Sequence, residues 1–506
     1  MAIKLALVVT LFLMSCAVSK GRSLGFSTKQ LDRYSFPPNF SFGVGSSAYQ
    51  YEGAVAEGGR TQSIWDNFTH AYPERTNMDN GDIAVDFYHR YKQDDIKLIK
   101  EMNMDTFRFS ISWSRILPSG KLSDGVNNEG IQFYKNLIDE ILKNGENHML
   151  KPVISVKCIK PFVTIYHWDI PQALDDEYGG FLSPRIIDDF RNFARVCFQE
   201  FGDKVDMWIT FNEPYIYSVA GYDKGNKAMG RCSKWVNSLC VAGDSSTEPY
   251  VVSHHLLLAH AAAVEEFRNC DKISQDGKIG IVLSPFWVEP YDVNSHADKE
   301  AVERALDYYL GWHLDPLIFG DYPKAIKRNA GKRLPSFTRK QTEMIRNSFD
   351  FIGINYYSAR YVTRQLQSDP SRLRFTTDQH VEYKGYDDYD VGTVPREQLL
   401  KDTKRIEYHE KHLQELHKAI TEDGCDVRGY SAWSLLDNFE WEHGYTMRFG
   451  LYYVDYADDL KRYAKDSAKW FKKFLERKEH ESKHEKQTPL DLFNSIKKWW
   501  SALQMV

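Results

Sequence analysis

Short apolar runs rich in β-branched and aromatic residues alternate along the chain with longer stretches in which apolar residues recur at helical spacing. This alternation predicts parallel strands joined by crossover helices, an α/β architecture. Helices are predicted at 87–102, 131–142 and 186–201, among others. Strands are predicted at seven runs: 41–44, 106–111, 162–167, 207–212, 278–283, 351–356 and 427–433.

Polar or aromatic residues follow the ends of these runs, namely Gln50, His167, Asn212 with Glu213, Tyr357 and Trp433. In a (β/α)8 barrel the carboxyl ends of the strands form the face that carries the active site. The pattern therefore predicts a single-domain (β/α)8 TIM barrel with its functional site on that face. Seven runs are one fewer than a closed barrel of this type needs, so one strand is expected to be missing.

Composition and charge narrow the possible partners. The 506 residues are 42% hydrophobic and 27% charged, which suits one large barrel. A net charge of −5 and a pI near 6.4 show no excess of the positive charge that would attract nucleic acid or an anionic membrane. Neither is predicted as a partner. No Cys-x-x-Cys pair is present, and His254, His255 and His260 lie in an alanine-rich helical stretch. They are interpreted as core histidines, and no metal is predicted.

The N-terminus has the pattern of a secretory signal peptide at residues 1–19, where Lys4 precedes an apolar run at 5–14 and then small residues. A buried N-terminal strand is the alternative. A secretory route predicts an extracellular or vacuolar glycoprotein with glycosylation at the sequons of Asn39 and Asn67. It also favours a disulfide between Cys232 and Cys240, which lie eight residues apart in a loop. Residues 476–506 are expected to form a charged linker and an amphipathic tail.

One strand end joins an amide and a carboxylate, in the motif Asn212-Glu213-Pro214. Hydrolysis of a glycosidic bond needs a carboxylic acid to protonate the leaving oxygen and a second carboxylate across the sugar ring. An Asn beside the acid can hold a sugar hydroxyl. By itself this triplet is a weak signal, because most such triplets are loop residues.

Further motifs end other strands: 43–53 (GVGSSAYQYEG), 107–113 (FRFSISW), 166–169 (YHWD), 355–357 (NYY) and 433–441 (WSLLDNFEW). As a set, over residues 35–475, they resemble the family 1 glycoside hydrolases, most closely the β-glucosidases of plants. The resemblance implies retaining hydrolysis of terminal β-D-glucosyl residues of small-molecule glucosides, without a metal or organic cofactor. Myrosinases of this family carry Gln in place of the acid Glu, so Glu213 favours an O-glucosidase.

The resemblance also implies residue roles. Glu213 would be the general acid/base, and Tyr357 and Arg108 resemble residues that contact the catalytic nucleophile and keep it ionised. The remaining implied sugar contacts are Gln50, His167 and Asn212 for the glycone hydroxyls, Glu440 and Trp441 for the far edge of the ring, Trp433 as a stacking platform and Phe449 in the same pocket.

Two departures from the family pattern stand out. Family members carry a strand ending in Thr-Glu-Asn-Gly whose Glu is the nucleophile, and no such motif occurs between Tyr357 and Trp433. The sequence instead passes from Lys384 to Gly385, where a helix and the seventh strand are expected. About 13 extra residues stand at 146–158. The six glutamates of the interval are Glu382, Glu397, Glu407, Glu410, Glu415 and Glu422.

An insertion and a deletion in so regular a sequence suggest alternative splicing or an error in the gene prediction. Without a carboxylate about 5 Å from the acid, no glycosyl-enzyme forms, so negligible hydrolysis is predicted. Two alternatives remain open, a non-catalytic glucoside-binding protein and a non-functional splice product. The sequence leaves the oligomeric state open.

Overall fold

The computed structural model describes residues 31–145, 159–365, 369, 371–384 and 394–477. The predicted signal peptide, the insertion at 146–158, Gly385 and nearly all of the predicted tail lie outside these residues. The strands of the described residues are β1 (Ser41–Gly45), β2 (Thr106–Ser110), β3 (Lys160–Tyr166), β4 (Met207–Asn212), β5 (Lys278–Leu283), β6 (Trp287–Pro290), β7 (Phe351–Ile354), β8 (Ala359–Arg364), β9 (Val381–Lys384), β10 (Gly429–Ala432), β11 (Tyr452–Asp455) and β12 (Lys461–Ala464).

Helices follow most of these strands. The α-helices of the described residues are α1 (Ala48–Tyr51), α2 (Ile64–Ala71), α3 (Phe87–Arg90), α4 (Ile96–Glu101), α5 (Trp113–Ile116), α6 (Asn128–Gly145), α7 (Gln172–Tyr178), α8 (Ile186–Phe201), α9 (Pro214–Val219), α10 (Glu248–Asn269), α11 (His296–Leu306), α12 (Trp312–Phe319), α13 (Lys324–Ala330), α14 (Arg339–Ile345), α15 (Phe375–Asp378), α16 (Arg396–Leu399), α17 (Thr403–Thr421) and α18 (Asp466–Phe474).

The main sheet contains all seven predicted strands, in the order β10-β1-β2-β3-β4-β5-β7, and every neighbouring pair is parallel. Crossover helices cover its outer face, and α8 and α10 pack directly against each other. On α8, Ile186, Phe190, Phe193 and Cys197 are buried at helical spacing, which explains why its bounds match the prediction. The fold is therefore the predicted (β/α)8 type of architecture, with seven of its strands in the described residues.

The two end strands of this sheet are more exposed than the central ones. In β4 and β5 every residue after the first is buried, whereas β7 has no fully buried residue and β10 has one. Within the described residues β7 pairs only with β5, and β10 pairs only with β1. Both strands therefore present an edge to their surroundings.

Helix α17 contacts both end strands. The Tyr408 hydroxyl donates to the carbonyl oxygens of Tyr356 (3.2 Å) and Tyr357 (3.3 Å), just past β7. Nδ1 of the next residue, His409, lies 2.6 Å from the Tyr430 hydroxyl of β10. Only three residues of this 19-residue helix are buried, and its apolar residues Ile406, Leu416 and Ile420 are half-buried. Helix α17 thus bridges the two end strands on the side of the barrel between β7 and β10.

Three strands form a separate small sheet, β6-β8-β9, which packs against α11 through Val288, Val362 and Val381. The sequence pattern did not predict this sheet. The predicted core histidines are confirmed, since His254, His255 and His260 are all buried in α10. Their ring nitrogens meet the Tyr322 hydroxyl, the Phe181 carbonyl and the Thr210 hydroxyl, respectively.

Candidate active site

The strand ends of the main sheet bring the predicted site residues together. Asn212 ends β4, and Glu213 follows as the residue that caps α9. Glu213 has a positive φ of 49°, and its N–H donates to the Val282 carbonyl (2.8 Å) at the end of β5. A strained, left-handed backbone at a non-glycine residue is typical of functional sites. The conformation turns the chain sharply from strand into helix beside the barrel mouth.

A second strand holds the Glu213 carboxyl group in place. The Asn355 amide, just past β7, donates to Oε1 of Glu213 (2.5 Å) and to Oδ1 of Asn212 (3.2 Å). Burial raises the pKa of Glu213, although the Asn355 hydrogen bond and the charge of Arg108 oppose the shift. A buried carboxyl group that keeps its proton to higher pH can donate that proton to a leaving group.

Asn212 connects the acid to the opposite wall of the site. Its Oδ1 accepts a hydrogen bond from Arg108 (2.6 Å), and its Nδ2 lies 3.1 Å from Nε2 of His167. The indole N–H of Trp168 donates to its carbonyl (2.8 Å). Burial and the nearby Arg108 hold the pKa of His167 well below its usual value, so the ring is neutral. Its buried Nδ1 has no hydrogen-bond partner in the described residues and can serve a sugar hydroxyl.

On the other side, Gln50 and Glu440 form the second polar wall. Nε2 of Gln50 donates to the Asn438 side chain (2.8 Å) and the Phe439 carbonyl (2.8 Å), and it lies 3.3 Å from Glu440. The Trp433 indole N–H donates to the other oxygen of Glu440 (3.2 Å). Burial raises the pKa of Glu440 to about 8. The Trp433 indole ring and the Glu440 carboxyl group are therefore held in a fixed position relative to each other.

Aromatic rings line the space between the polar walls. The His167 ring is stacked on the rings of Trp433 and Trp441, both at 6.0 Å between centroids. Trp168 packs against Trp441 at 4.7 Å. Flat apolar faces beside convergent polar groups suit a pyranose ring, which carries hydroxyls around its edge.

Two of the predicted site residues, Tyr357 and Phe449, are more exposed than the others. Tyr357 follows β7 and is 44% exposed, although its hydroxyl is close enough to feel the charges of Glu213, Glu440 and Arg108. Phe449 is half-buried, and its carbonyl accepts hydrogen bonds from the Ser434 N–H (3.1 Å) and from Arg405 (2.9 Å). The structure thus places its backbone beside the strand end that carries Trp433.

None of the six glutamates between Tyr357 and Trp433 forms a contact with the Glu213 site. Glu382 lies in β9, exposed and paired with Lys384. Glu410 accepts a hydrogen bond from the Trp470 indole (3.1 Å). The other four lie on the surface of α16 and α17 or at the end of α17: Glu397, Glu407, Glu415 and Glu422.

Sequence reasoning missed a cation at the edge of the site. Lys227 is largely buried and forms an ion pair with Glu442, and its ammonium lies 5.6 Å from the centre of the Trp168 ring. Burial would raise the pKa of Glu442, but Lys227 outweighs it and lowers that pKa. The same charge opposes the raised pKa values of Glu213 and Glu440. Nothing in the loop sequence around Lys227 signals this position.

The remaining sequence predictions fall outside this cluster. The disulfide between Cys232 and Cys240 is present, with its Cα atoms 5.6 Å apart, and is confirmed. Asn39 is exposed in a turn, and Asn67 is exposed on α2. Across the ranges that the structure describes, no helix is long and apolar enough to cross a membrane, and no cluster of metal-ligand side chains occurs.

The parallel barrel sheet, with a buried carboxylic acid among hydroxyl-binding groups and aromatic rings at its strand ends, defines a glycoside hydrolase. The sequence matches Glycosyl hydrolase family 1 over residues 32–393 and 389–480, and the chain belongs to that family. It is similar to β-glucosidase 31 of Arabidopsis thaliana, with 68% identity over all of both chains.

Solved structures of β-glucosidases are similar to this chain in fold. A rice β-glucosidase superposes with a TM-score of 0.82 and 43% identity, covering 88% of this chain and 100% of that one. A family 1 β-glucosidase from the fungus Humicola insolens, solved in complex with glucose, gives a TM-score of 0.80 at 37% identity, covering 88% and 98%. These neighbours confirm the predicted fold class.

The alignment with the Arabidopsis relative is longer than this chain. It extends over 554 positions, 48 more than the 506 residues present here. The family match is likewise divided into two segments, which meet at residues 389–393. The division of the family match falls near the junction that the sequence pattern singled out.

Proposed function

We propose that this site is that of a retaining β-glucosidase in which Glu213 is the general acid/base. The observation that carries the proposal is the buried Glu213 carboxyl group, which Asn355 holds beside the Asn212 amide. In the reaction, Glu213 would give its proton to the glycosidic oxygen as the bond to C1 breaks. The relatives named above, all β-glucosidases, support glucose as the glycone and a small-molecule glucoside as the substrate.

The glycone would be held by both polar walls. Gln50 and Glu440 face its outer hydroxyls, while Asn212 and the free Nδ1 of His167 face the hydroxyls near C1. Trp433 would lie against the ring face, with Trp441 at the far edge and Phe449 in the same pocket. Hydrogen bonds in a site largely shielded from water discriminate strongly between sugars, because a mismatched hydroxyl leaves a buried polar group unpaired.

The second carboxylate of the retaining reaction is the part that the described residues do not supply. The placement of the six glutamates, the two exposed edge strands and the 48 surplus alignment positions all support a missing seventh strand between Lys384 and Gly385. Without a nucleophile no glycosyl-enzyme forms, so the chain would bind a glucoside and hydrolyse it negligibly.

Calorimetry tests the binding half of this proposal. Glucose or a glucono-lactam titrated into the purified chain should bind with one-to-one stoichiometry. Glu440→Gln should weaken binding at least tenfold, because it removes an acceptor from the outer wall. The exposed Glu397→Gln is the matched control and should leave the affinity unchanged. The assignment of the pocket would be overturned if the folded wild type gave no heat of binding, or if Glu440→Gln bound the ligand as tightly as the wild type.

We also propose that the chain enters the secretory pathway and is glycosylated at Asn39. Asn39 is exposed in a turn, as an acceptor site requires. Asn67 is the weaker candidate, because the hydroxyl of Thr69 in its sequon is buried and donates to the Trp65 carbonyl (2.9 Å). Treatment of plant-expressed protein with a peptide N-glycosidase should lower its mass, and Asn39→Gln should remove that change. An unchanged mass would contradict the proposal.

A further inference from the structure

A surface cavity lies where helices α12, α13 and α14 meet, in the crossover between β5 and β7. Its volume is about 490 Å³, which is typical of a small-molecule site. All of its lining side chains come from residues 319–342, and none of them belongs to the cluster around Glu213. The cavity is therefore separate from the candidate active site.

Stacked aromatic rings form the floor of this cavity. The Phe337 ring is stacked on the rings of Tyr322 and His254, each at 4.6 Å between centroids. Nδ1 of His254 lies 3.0 Å from the Tyr322 hydroxyl, so the two supporting rings also fix each other. A floor that is rigid before the ligand arrives keeps the entropic cost of binding low.

An exposed phenyl ring stands at the rim. Phe319 ends α12 and is 66% exposed, more than any other aromatic side chain in the described residues. Half-buried Leu334 and Pro335 complete the apolar part of the lining. Exposed apolar surface that adjoins a cavity is typical of a binding site. A flat apolar ligand would cover the Phe319 ring and remove it from water.

The flank of the cavity is strongly basic, although the whole chain has a net charge of −5. Seven of the residues at 324–340 are Lys or Arg, and none is acidic. In the lining itself, Asp321 forms an ion pair with Lys327, which compensates its charge. Three exposed lysines of this stretch pair with no carboxylate of the described residues: Lys324, Lys332 and Lys340. This excess of positive charge favours an anionic ligand.

We propose that this cavity is a binding site for a small planar aromatic carboxylate. The ring system lies between the Phe319 side chain and the floor formed by Phe337, and the carboxylate faces Lys327 at the rim. A lysine ammonium has three donors, so Lys327 can bind the ligand while it remains paired with Asp321. The site is independent of the proposed glucosidase function, because it shares no lining residue with the Glu213 cluster.

Fluorine NMR of 6-fluoro-2-naphthoate with the full chain tests the site. Glucose is added in excess, so that the candidate active site is occupied by sugar. We expect saturable line broadening with a dissociation constant below about 1 mM, as for a ligand of this size. The corresponding naphthamide has the same rings without the charge. It should bind roughly fivefold more weakly, which is the effect of losing one exposed ion pair.

Variants of two exposed residues locate the bound naphthoate. Phe319→Ala should weaken binding about tenfold, because it removes one aromatic wall. Lys327→Gln should also weaken it, since the substitution removes a cation and leaves Asp321 uncompensated. Tyr291→Ala, at a position 63% exposed, and Lys97→Gln, on the surface of α4, are the matched controls and should bind as the wild type does. Ser336→Trp is a further variant, which should block binding because it fills the cavity from an exposed position.

Three results would overturn the proposal. The first is a wild type that does not bind the naphthoate, or binds it only when glucose is absent. The second is an affinity that is unchanged in both Phe319→Ala and Ser336→Trp. The third is equal affinity for the naphthamide, which would exclude a carboxylate as the recognised group. Because glucose binding is measured separately, each of these results leaves the glucosidase proposal unaffected.

Discussion

The Asn355 amide donates a 2.5 Å hydrogen bond to Oε1 of Glu213, so the end strand β7 directly positions the carboxyl group that follows β4. The two residues are 142 positions apart in the sequence. The same amide reaches Asn212, which in turn accepts from Arg108. The acid is therefore held by a hydrogen-bonded chain across the barrel mouth, and its protonation depends on that chain.

Asn355→Leu should raise the pKa of Glu213 further. The side chains are similar in size, so the substitution keeps water out while it removes a hydrogen bond that favours the ionised form. Carbon-13 NMR of glutamate labelled at the carboxyl carbon measures the titration, and Glu213→Gln identifies the resonance. Asn136→Leu, on the exposed face of α6, should leave it unchanged. A lower pKa in Asn355→Leu would show that the amide favours the acid form.

Lys227→Met should raise the pKa of Glu440 above its value of about 8. Burial is the main cause of that raised value, and the Lys227 charge opposes it. Since the Trp433 indole donates to Glu440, tryptophan fluorescence should report the titration, and Glu440→Gln should remove it. Lys234→Met changes an exposed lysine of the same loop and serves as the control. A midpoint that falls in Lys227→Met would refute this electrostatic role.

Asp169 should make the protein less stable as the pH rises. It is buried, both of its carboxylate oxygens are without partners in the described residues, and burial raises its pKa from 3.8 to about 8. A folded pKa above the unfolded one gives stability that is complete below about pH 3.8. That contribution is lost progressively as the pH approaches 8.

Asp169→Asn should remove this dependence and be more stable than the wild type at pH 8, by on the order of 1–3 kcal/mol. Urea unfolding at pH 5 and pH 8 gives the two free energies of unfolding. Asp188→Asn, an exposed position on α8, should change neither value. An Asp169→Asn variant with the wild-type pH dependence would mean that the folded protein does not shift this pKa.

Much of the barrel could be predicted from the sequence because parallel strands buried on both faces leave continuous apolar runs. All seven predicted runs contain a strand of the main sheet, and α8 has the predicted bounds. The small sheet β6-β8-β9 was missed because its four- and six-residue strands are mostly half-exposed and alternate weakly.

The site was predicted residue by residue from motifs, but its internal contacts were not. Asn355 was recognised only as part of a motif, since a hydrogen bond across 142 positions has no local signal. Lys227 lies in an irregular loop before the disulfide, where neither periodicity nor spacing indicates that the chain turns back toward Glu442. Such contacts depend on how loops pack over the strand ends, and only the folded chain shows them.

The missing nucleophile is tested most directly by the turnover of an aryl β-glucoside. Turnover is measured for the purified chain and for an extended chain, in which the corresponding segment of Arabidopsis β-glucosidase 31 is inserted between Lys384 and Gly385. This chain should release aglycone no faster than its Glu213→Gln variant. The extended chain should have a kcat of roughly 1 to 10³ per second, the range typical of enzymes. Comparable turnover by the unmodified chain would show that it carries a functional nucleophile after all.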